Sequence, residues 1–277
     1  MFRKTIFAIL TVAFVWACFV VFKTPQADRD WAPEMSRLSG VSEKDNMVHF
    51  ANLRNWTWRR EDEAVRSWQT ASFDFSKVSG LRFYIEPFPA YRGIAHTFLV
   101  FEFEEESGYA PIGVSVEARR VNGEKFSAVG GIFNRFELIY IWGTEKDLVS
   151  QSWSIRESQR GYQLNVSAEQ AQYVFRAMVR DTIMLEKMPR FYNSLFHNCT
   201  SELANSINEK IPDTLPWDIS YILTGFTDKF LAKKGFIEGA VSDEVVLLKQ
   251  QKLHDAVTSA AALTPLAFSK EIRQSAL

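Results

Sequence analysis

The stretch HTFLVFEFEEESGYAPIGVSVEARR, residues 96–120, contains two segments rich in apolar and β-branched residues with a polar segment between them. The polar segment ESGYAP, residues 106–111, combines Ser, Gly and Pro, which are typical of a turn. We therefore predict a hairpin of two antiparallel strands, residues 96–104 and 112–121.

Strand-like segments come first in this chain and helix-like segments follow. Residues 47–53, 80–85 and 136–142 are rich in β-branched and aromatic residues and are predicted to be strands. From Ser167 onward the apolar residues follow a helical period, and further helices are predicted near Cys199 and over residues 223–235 and 243–261. Strands followed by helices predict an α+β fold in which an antiparallel sheet packs on helices.

The N-terminal residues have the pattern of a membrane anchor. Arg3 and Lys4 precede an uncharged run of 18 residues, 5–22, which is about the length that spans a bilayer. The basic residues in front predict that the N-terminus stays in the cytoplasm and that the body is exported. No small-residue cleavage site follows the run, so we predict a signal anchor over residues 1–23, with a cleaved signal peptide as the alternative. Residues 24–45 are polar and are predicted to be a linker.

The composition argues against several classes of function. Lys+Arg 32 against Asp+Glu 33 leaves no excess positive charge, so no nucleic-acid partner is predicted. The four histidines are scattered, and neither HExxH nor CxxC occurs, so no metal site and no cofactor is predicted. Aromatic residues make up 14% of the chain. They indicate a dense aromatic core, with a lipid-facing cleft as the alternative.

The two cysteines lie in different settings. Cys18 is within the apolar N-terminal run, and Cys199 is within FHNCTSELAN, residues 196–205. An exported body would therefore hold an unpaired thiol in an oxidising compartment. Cys199 stands where a helix begins, and the N–H groups and dipole there stabilise a thiolate and an oxyanion. Cys199 is thus either a nucleophile or a buried structural cysteine.

A thiolate nucleophile needs a base, and His96 is the best placed histidine. It opens the most apolar strand of the chain, directly after a turn-like segment. His197 is too close to Cys199 in the chain and is interpreted as local structure. His49 alternates with apolar residues in a strand and is interpreted as a core or edge residue, and His254 lies in a charged helix and is interpreted as part of a solvated face.

The hairpin supplies a candidate third residue. If the turn centres near Ser107, His96 lies opposite Ala118, and Glu117 or Arg119 stands beside it. A carboxylate at Glu117 would orient the imidazole and stabilise its charged form. An ordinary surface or ion-pair role for Glu117 is the alternative.

Several motifs in order resemble the Lnb N-terminal periplasmic domain family of bacteria. They are RDWAP, NLRNWTW, AHTFLVFEF, VSVEARR, SAVGGIFNRFELIYIW and YNSLFHNCT, and the resemblance covers about residues 29–210. It implies a circularly permuted papain-like (NlpC-type) thiol fold, in which the histidine precedes the cysteine. It also implies a Cys/His acyl-transfer site at Cys199 and His96. Named members of the family transfer an acyl chain from phospholipid to the amino group of a bacterial lipoprotein.

These observations lead to one set of predicted site residues. Cys199 is the predicted nucleophile, His96 the base and Glu117 the residue that orients the base. Three further residues are predicted to contact the substrate: Tyr192, Asn198 and Arg119.

The predicted protein is a periplasmic thiol domain, residues 46–212, with a helical C-terminal extension, residues 213–277. It would cross the bacterial inner membrane once and pass an acyl group from phospholipid to a lipoprotein through a thioester. Family members carry several transmembrane helices after this domain, and residues 213–277 are too polar to form them. Two alternatives therefore stay open: an amidase or peptidase acting on an envelope peptide, and a non-catalytic module that binds a lipid or a lipoprotein.

Overall fold

The computed structural model describes residues 7, 11, 23–26, 28–60, 63–89, 91–155, 158–208, 214–239 and 241–275. The predicted anchor, apart from Phe7, Thr11 and Lys23, lies outside the described residues, and so does Cys18. Among the helices that are described, none combines the length and the apolar character needed to cross a membrane.

A mostly antiparallel sheet, with eight strands among the described residues, forms the centre of the fold. Its strands are β1 (Val41–Lys44), β2 (Met47–Arg54), β5 (Trp68–Asp74), β6 (Val78–Phe88), β7 (Tyr91–Phe103), β8 (Ile112–Arg119), β9 (Glu137–Thr144) and β10 (Arg160–Gln163). The strand order is β1-β2-β9-β8-β7-β6-β10, with β5 also paired to β2, and only the β2–β9 pairing is parallel. A separate hairpin contains β3 (Thr57–Arg60) and β4 (Glu63–Val65). The five strands predicted from the sequence are confirmed as β2, β6, β7, β8 and β9.

The helices mostly follow the strands, as predicted, although the first comes before β9 and the second before β10. They are α1 (Ala128–Ile132), α2 (Glu145–Ile155), α3 (Ala168–Lys187), α4 (Cys199–Asn208), α5 (Thr227–Lys233), α6 (Asp243–Ala260) and α7 (Pro265–Ser275). The start of α3 is fixed by a capping box, in which the Ser167 hydroxyl accepts from the Gln170 N–H and the Gln170 side chain accepts from the Ser167 N–H.

Successive residues of a strand point to opposite faces of the sheet, so apolar side chains of one strand can be buried on both faces. Helices cover both faces here. One core joins β7 to α3 and α4 and includes Leu99, Phe101, Phe175 and Leu203. The other joins β7 to α2, α6 and α7 and includes Phe98, Val100, Leu148, Val257 and Phe268. Each buried side chain of this size contributes about 1.5–3 kcal/mol. The described part of the predicted extension, residues 213–277, therefore contributes to both cores, with Leu215 and Phe230 in the first and Val257 and Phe268 in the second.

The structure differs from the predicted linker at residues 24–45. Trp31 is buried, Met35 is buried against Ile139 of β9, and the segment ends in strand β1 at the edge of the sheet. The overall composition of residues 24–45 is polar and is typical of a linker. A few spaced apolar side chains are nevertheless enough to dock it on the sheet.

Candidate active site

The candidate site lies where β7 and β8 separate. Backbone pairing between these strands ends at Phe98 and Ser115. Beyond that point β7 continues alongside β6, and β8 continues alongside β9. Helix α4 contacts both strands. Groups on opposite faces of the sheet can therefore meet at this gap.

Thr224, which is far from β7 in the chain and begins a short 3-10 helix, Thr224–Phe226, bonds to the backbone groups of β7 at the gap. The Thr224 hydroxyl accepts a hydrogen bond from the Ala95 N–H at 2.7 Å and donates to the Ala95 carbonyl at 2.6 Å. One side chain thus replaces the backbone partner that β8 no longer offers. No local sequence pattern marks Thr224 as part of the site, because it lies far from the hairpin in the chain.

Asn198 caps helix α4. Its Oδ1 accepts hydrogen bonds from the N–H groups of Thr200 and Ser201 at 3.0 and 2.9 Å. Its Nδ2 donates to the carbonyls of Ser194 and Tyr221. These bonds occupy the amide of Asn198, which is buried. The structure therefore gives Asn198 the role of an N-cap, in contrast to the predicted substrate contact.

The cap places Cys199 at the first position of α4, facing His96 on β7. Cys199 is buried, its sulfur lies 3.8 Å from the Ala95 carbonyl oxygen, and the nearby His96 side chain lowers the pKa of the thiol. His96 Nε2 lies 2.7 Å from Ser115 Oγ and 3.1 Å from Glu117 Oε1. The Ser115 hydroxyl in turn donates to Glu117 Oε1 at 2.8 Å. The structure thus brings the three predicted catalytic residues together and adds Ser115 as a bridge.

The hairpin register differs from the prediction by one residue. The pair Phe98 and Ser115 extends to His96 opposite Glu117, whereas the prediction placed Ala118 there. The turn contains a short 3-10 segment, Glu105–Ser107, so its centre lies slightly earlier than Ser107. Glu117 consequently faces the imidazole directly.

Burial and charge shift the pKa values of all three groups. Burial alone raises the pKa of the Cys199 thiol, but the hydrogen bond and the charge of His96 outweigh burial, so this pKa is lowered. Burial lowers the pKa of His96, yet the Glu117 charge and the Cys199 hydrogen bond raise it well above its usual value. Burial raises the pKa of Glu117, but His96 brings it down to about 2. The site therefore favours a thiolate beside an imidazolium.

Thr97 also contacts the sulfur. Hydrogen bonds from its hydroxyl and its backbone N–H favour the thiolate form of Cys199. Its hydroxyl lies 3.1 Å from that of Thr200 in the first turn of α4. This residue was not predicted, since a threonine inside an apolar strand carries no signal of its own.

Arg119 lies away from this group. Its guanidinium donates to the carbonyls of Met35 and Ser36 and lies 4.2 Å above the Trp31 ring. Burial lowers its pKa to about 10. The structure therefore uses Arg119 to hold the docked N-terminal segment, in contrast to the predicted substrate contact. The neighbouring Arg120 lines the cavity instead.

A cavity of about 170 Å³ opens beside the sulfur. Its lining includes His96, Ser115, Glu117, Tyr192, Cys199 and Phe126. Pockets that enclose a drug-sized ligand measure about 300–1,000 Å³. This cavity is therefore large enough for a reacting carbonyl and its nearest atoms, and the rest of an acyl chain would lie outside it. Tyr192, a predicted substrate contact, is in the lining.

The other three histidines contact other residues or lie elsewhere in the fold. His197 Nδ1 lies 2.8 Å from Glu202 of α4, and His49 Nδ1 lies 2.7 Å from the Ser72 hydroxyl across the β2–β5 pairing. His254 is part of α6. Within the described ranges, no group of three or more His, Cys, Asp or Glu residues could hold a metal ion.

A model of the family described as the Lnb N-terminal periplasmic domain matches residues 64–225, more than half of the chain. The chain belongs to this family. The matched region contains β7, β8 and α4, and hence every residue around the sulfur named above. Membership supports a periplasmic location for the domain. No curated protein and no solved structure matched the chain.

The lowered pKa of Cys199 makes a pH-dependent prediction. Iodoacetamide reacts with the thiolate, so alkylation of Cys199 should persist below the pH at which an ordinary thiol stops reacting. It should be lost only as the pH falls through the lowered pKa. In His96→Gln, burial is the dominant influence on the Cys199 thiol and raises its pKa. The pH profile of the alkylation rate should therefore move to higher pH. Peptide mass spectrometry at a series of pH values measures both profiles, and coincident profiles would refute the ion pair.

Proposed function

We propose that this protein is a thiol acyltransferase of the bacterial cell envelope. A single N-terminal span would hold it in the inner membrane with the domain in the periplasm. It would take an acyl chain from phospholipid, hold it as a thioester on Cys199, and pass it to the amino group of a lipoprotein. The observation that carries the proposal is the grouping of Cys199, His96 and Glu117 around one cavity, where His96 lies 3.1 Å from Glu117 and lowers the pKa of the thiol.

We also propose that the fold is a circularly permuted papain-like (NlpC-type) arrangement. His96 lies on β7, and Cys199 begins α4 later in the chain. This order, histidine before cysteine, is the one that the family resemblance implies. The antiparallel sheet with the thiol at a helix N-terminus supports it.

In the first half-reaction the Cys199 thiolate attacks the carbonyl carbon of the lipid ester, and a sulfur–carbon bond forms. Negative charge develops on the carbonyl oxygen. The Cys199 N–H, in the first turn of α4, donates to no other group in the described part of the chain and can stabilise this charge. The carbon–oxygen bond to the lysolipid then breaks, and the departing oxygen takes the proton of the His96 imidazolium.

In the second half-reaction an amine attacks the thioester carbon. Neutral His96 accepts the proton of the amine, the carbon–sulfur bond breaks, and the Cys199 thiolate and the imidazolium return together. Glu117 and Ser115 engage Nε2 of His96, which leaves Nδ1 for the sulfur. They therefore orient the ring and stabilise its charged form.

Intact mass spectrometry tests the proposal. Full-length protein in detergent is incubated with isotope-labelled phospholipid, and Cys199→Ala serves as the control. We expect a mass increase of one acyl chain in the wild type and none in the variant. An adduct with an activated peptide ester, but none with phospholipid, would assign the site to an amidase. An adduct with neither would favour the non-catalytic module and overturn the proposal.

A further inference from the structure

Three segments next to the cavity carry large apolar side chains that face solvent. We call these side chains the apolar rim: Val129, Phe133, Phe196, Trp217, Ile219, Leu223 and Phe226. Trp217 is 72% exposed and Ile219 is 52% exposed. Exposed large apolar side chains that cluster beside a cavity mark an interaction site, whereas single ones are common on any protein surface.

Each of the three segments also contacts the candidate site. Phe126 lines the cavity and begins the first segment. Asn198 caps α4 at the end of the second. Thr224, between Leu223 and Phe226 in the third, bonds to Ala95 beside the sulfur. Any surface that covers the apolar rim therefore lies next to the Cys199 cavity.

The N-terminal segment enters the fold beside the same rim. The Lys23 ammonium donates to the Asn134 carbonyl at 2.9 Å and lies 5.8 Å from the centre of the Phe191 ring. Asn134 directly follows Phe133 of the rim. Arg29 continues the attachment through an ion pair with Glu137 at 3.0 Å.

This attachment fixes where the membrane would be. The uncharged run, residues 5–22, ends one residue before Lys23. A run that spans a bilayer must end at the bilayer surface, where a Lys ammonium can reach water and headgroups. The rim residue next to this point, Phe133, would then lie at the same surface.

We propose that the apolar rim inserts into the interfacial layer of a phospholipid bilayer and so holds the Cys199 cavity against the membrane. Trp and Phe side chains favour this layer, and removing them from water is the driving force. The inference deepens the proposed function, on which it rests for the identity of the substrate. A lipid ester carbonyl would reach the thiolate without leaving the bilayer surface.

Site-directed spin labelling tests the insertion without any reaction. The full chain, with Cys18→Ser and Cys199→Ser, is labelled through Ile219→Cys or, as a matched control, Leu248→Cys on α6. Ile219 and Leu248 are equally exposed at 52%, but Leu248 belongs to the C-terminal helices. After reconstitution into vesicles of phosphatidylcholine and phosphatidylglycerol, the Ile219 label should gain accessibility to oxygen and lose accessibility to a water-soluble nickel complex. The Leu248 label should remain accessible to the nickel complex.

Two other results would overturn the proposal. If both labels stay in contact with the nickel complex, the rim remains in water. If the Ile219 label loses contact with oxygen and with nickel alike, a protein surface covers the rim, either a second copy or a partner.

A second measurement separates this inference from the proposed chemistry. Ile219→Asp should lower thioester formation from phospholipid vesicles by about tenfold, because a charge opposes insertion of the rim. The same variant should react normally with a water-soluble short-chain ester, and Leu248→Asp should react normally with both. Equal rates of thioester formation for Ile219→Asp and the wild type on vesicles would refute the insertion of the apolar rim into the bilayer. If the wild type reacts with neither ester, the proposed function fails, and the spin labels still decide the insertion.

Discussion

Replacing His96 by alanine is expected to lower the rate of thioester formation at Cys199 by about 10²–10⁴-fold, the usual contribution of a general acid–base residue. The imidazole both lowers the thiol pKa and supplies the proton to the leaving oxygen. Without it, burial raises the pKa of Cys199, and little thiolate remains at neutral pH. The measurement is the initial rate of acyl-enzyme formation with phospholipid, followed by intact mass.

His197→Ala is the matched control for this variant. His197 is only two residues before Cys199, but its ring pairs with Glu202 at 2.8 Å. We expect this variant to react at nearly the wild-type rate once circular dichroism shows that it is folded. Equal losses in both variants would indicate general damage around α4. A wild-type rate in His96→Ala would remove His96 from the mechanism.

The sequence predicts best those elements whose signals are local. Strands β7 and β8 have apolar and β-branched runs around a turn, and helix α3 begins at a capping Ser167 with an amphipathic pattern behind it. Strand β10, by contrast, is the four-residue segment RGYQ, with no strand pattern of its own. It exists because β6 offers an edge more than seventy residues away in the chain. Such pairing depends on the assembled sheet and leaves little trace in the segment itself.

The same distinction applies to the candidate site. Cys199 and His96 could be found because their chemistry is rare in this chain and their local settings are unusual. Ser115 and Thr224 are ordinary hydroxyl residues, and their contacts arise only where β7 and β8 separate. For Asn198, proximity to the thiol suggested substrate binding, whereas the geometry of a helix N-terminus turns its amide toward the backbone.

Replacing Asp147 by alanine is expected to lower the free energy of unfolding by about 3–5 kcal/mol, the usual cost of removing one partner of a buried ion pair. Asp147, in the first turns of α2, is fully buried, and its Oδ2 accepts from Arg54 Nε at 2.9 Å. It also accepts from the Trp56 N–H and from Trp58 Nε1, each at 2.8 Å. Its removal leaves a guanidinium and two N–H groups buried without this acceptor. Urea unfolding of the full chain in detergent, followed by circular dichroism, measures the loss.

The surface ion pair of Glu105 and Lys270 supplies the control. Its atoms lie 2.7 Å apart, but the Glu105 side chain is 80% exposed, so Glu105→Ala should leave the unfolding midpoint nearly unchanged. Replacing both buried partners, Arg54→Met with Asp147→Leu, should recover part of the lost stability because no uncompensated charge remains.

Arg54 Nη2 also donates to Gln151, which lines the cavity, at 2.6 Å. Asp147→Ala should therefore slow the reaction of Cys199 even where the protein remains folded. A variant as stable and as reactive as Glu105→Ala would show that this buried pair supports neither the fold nor the site.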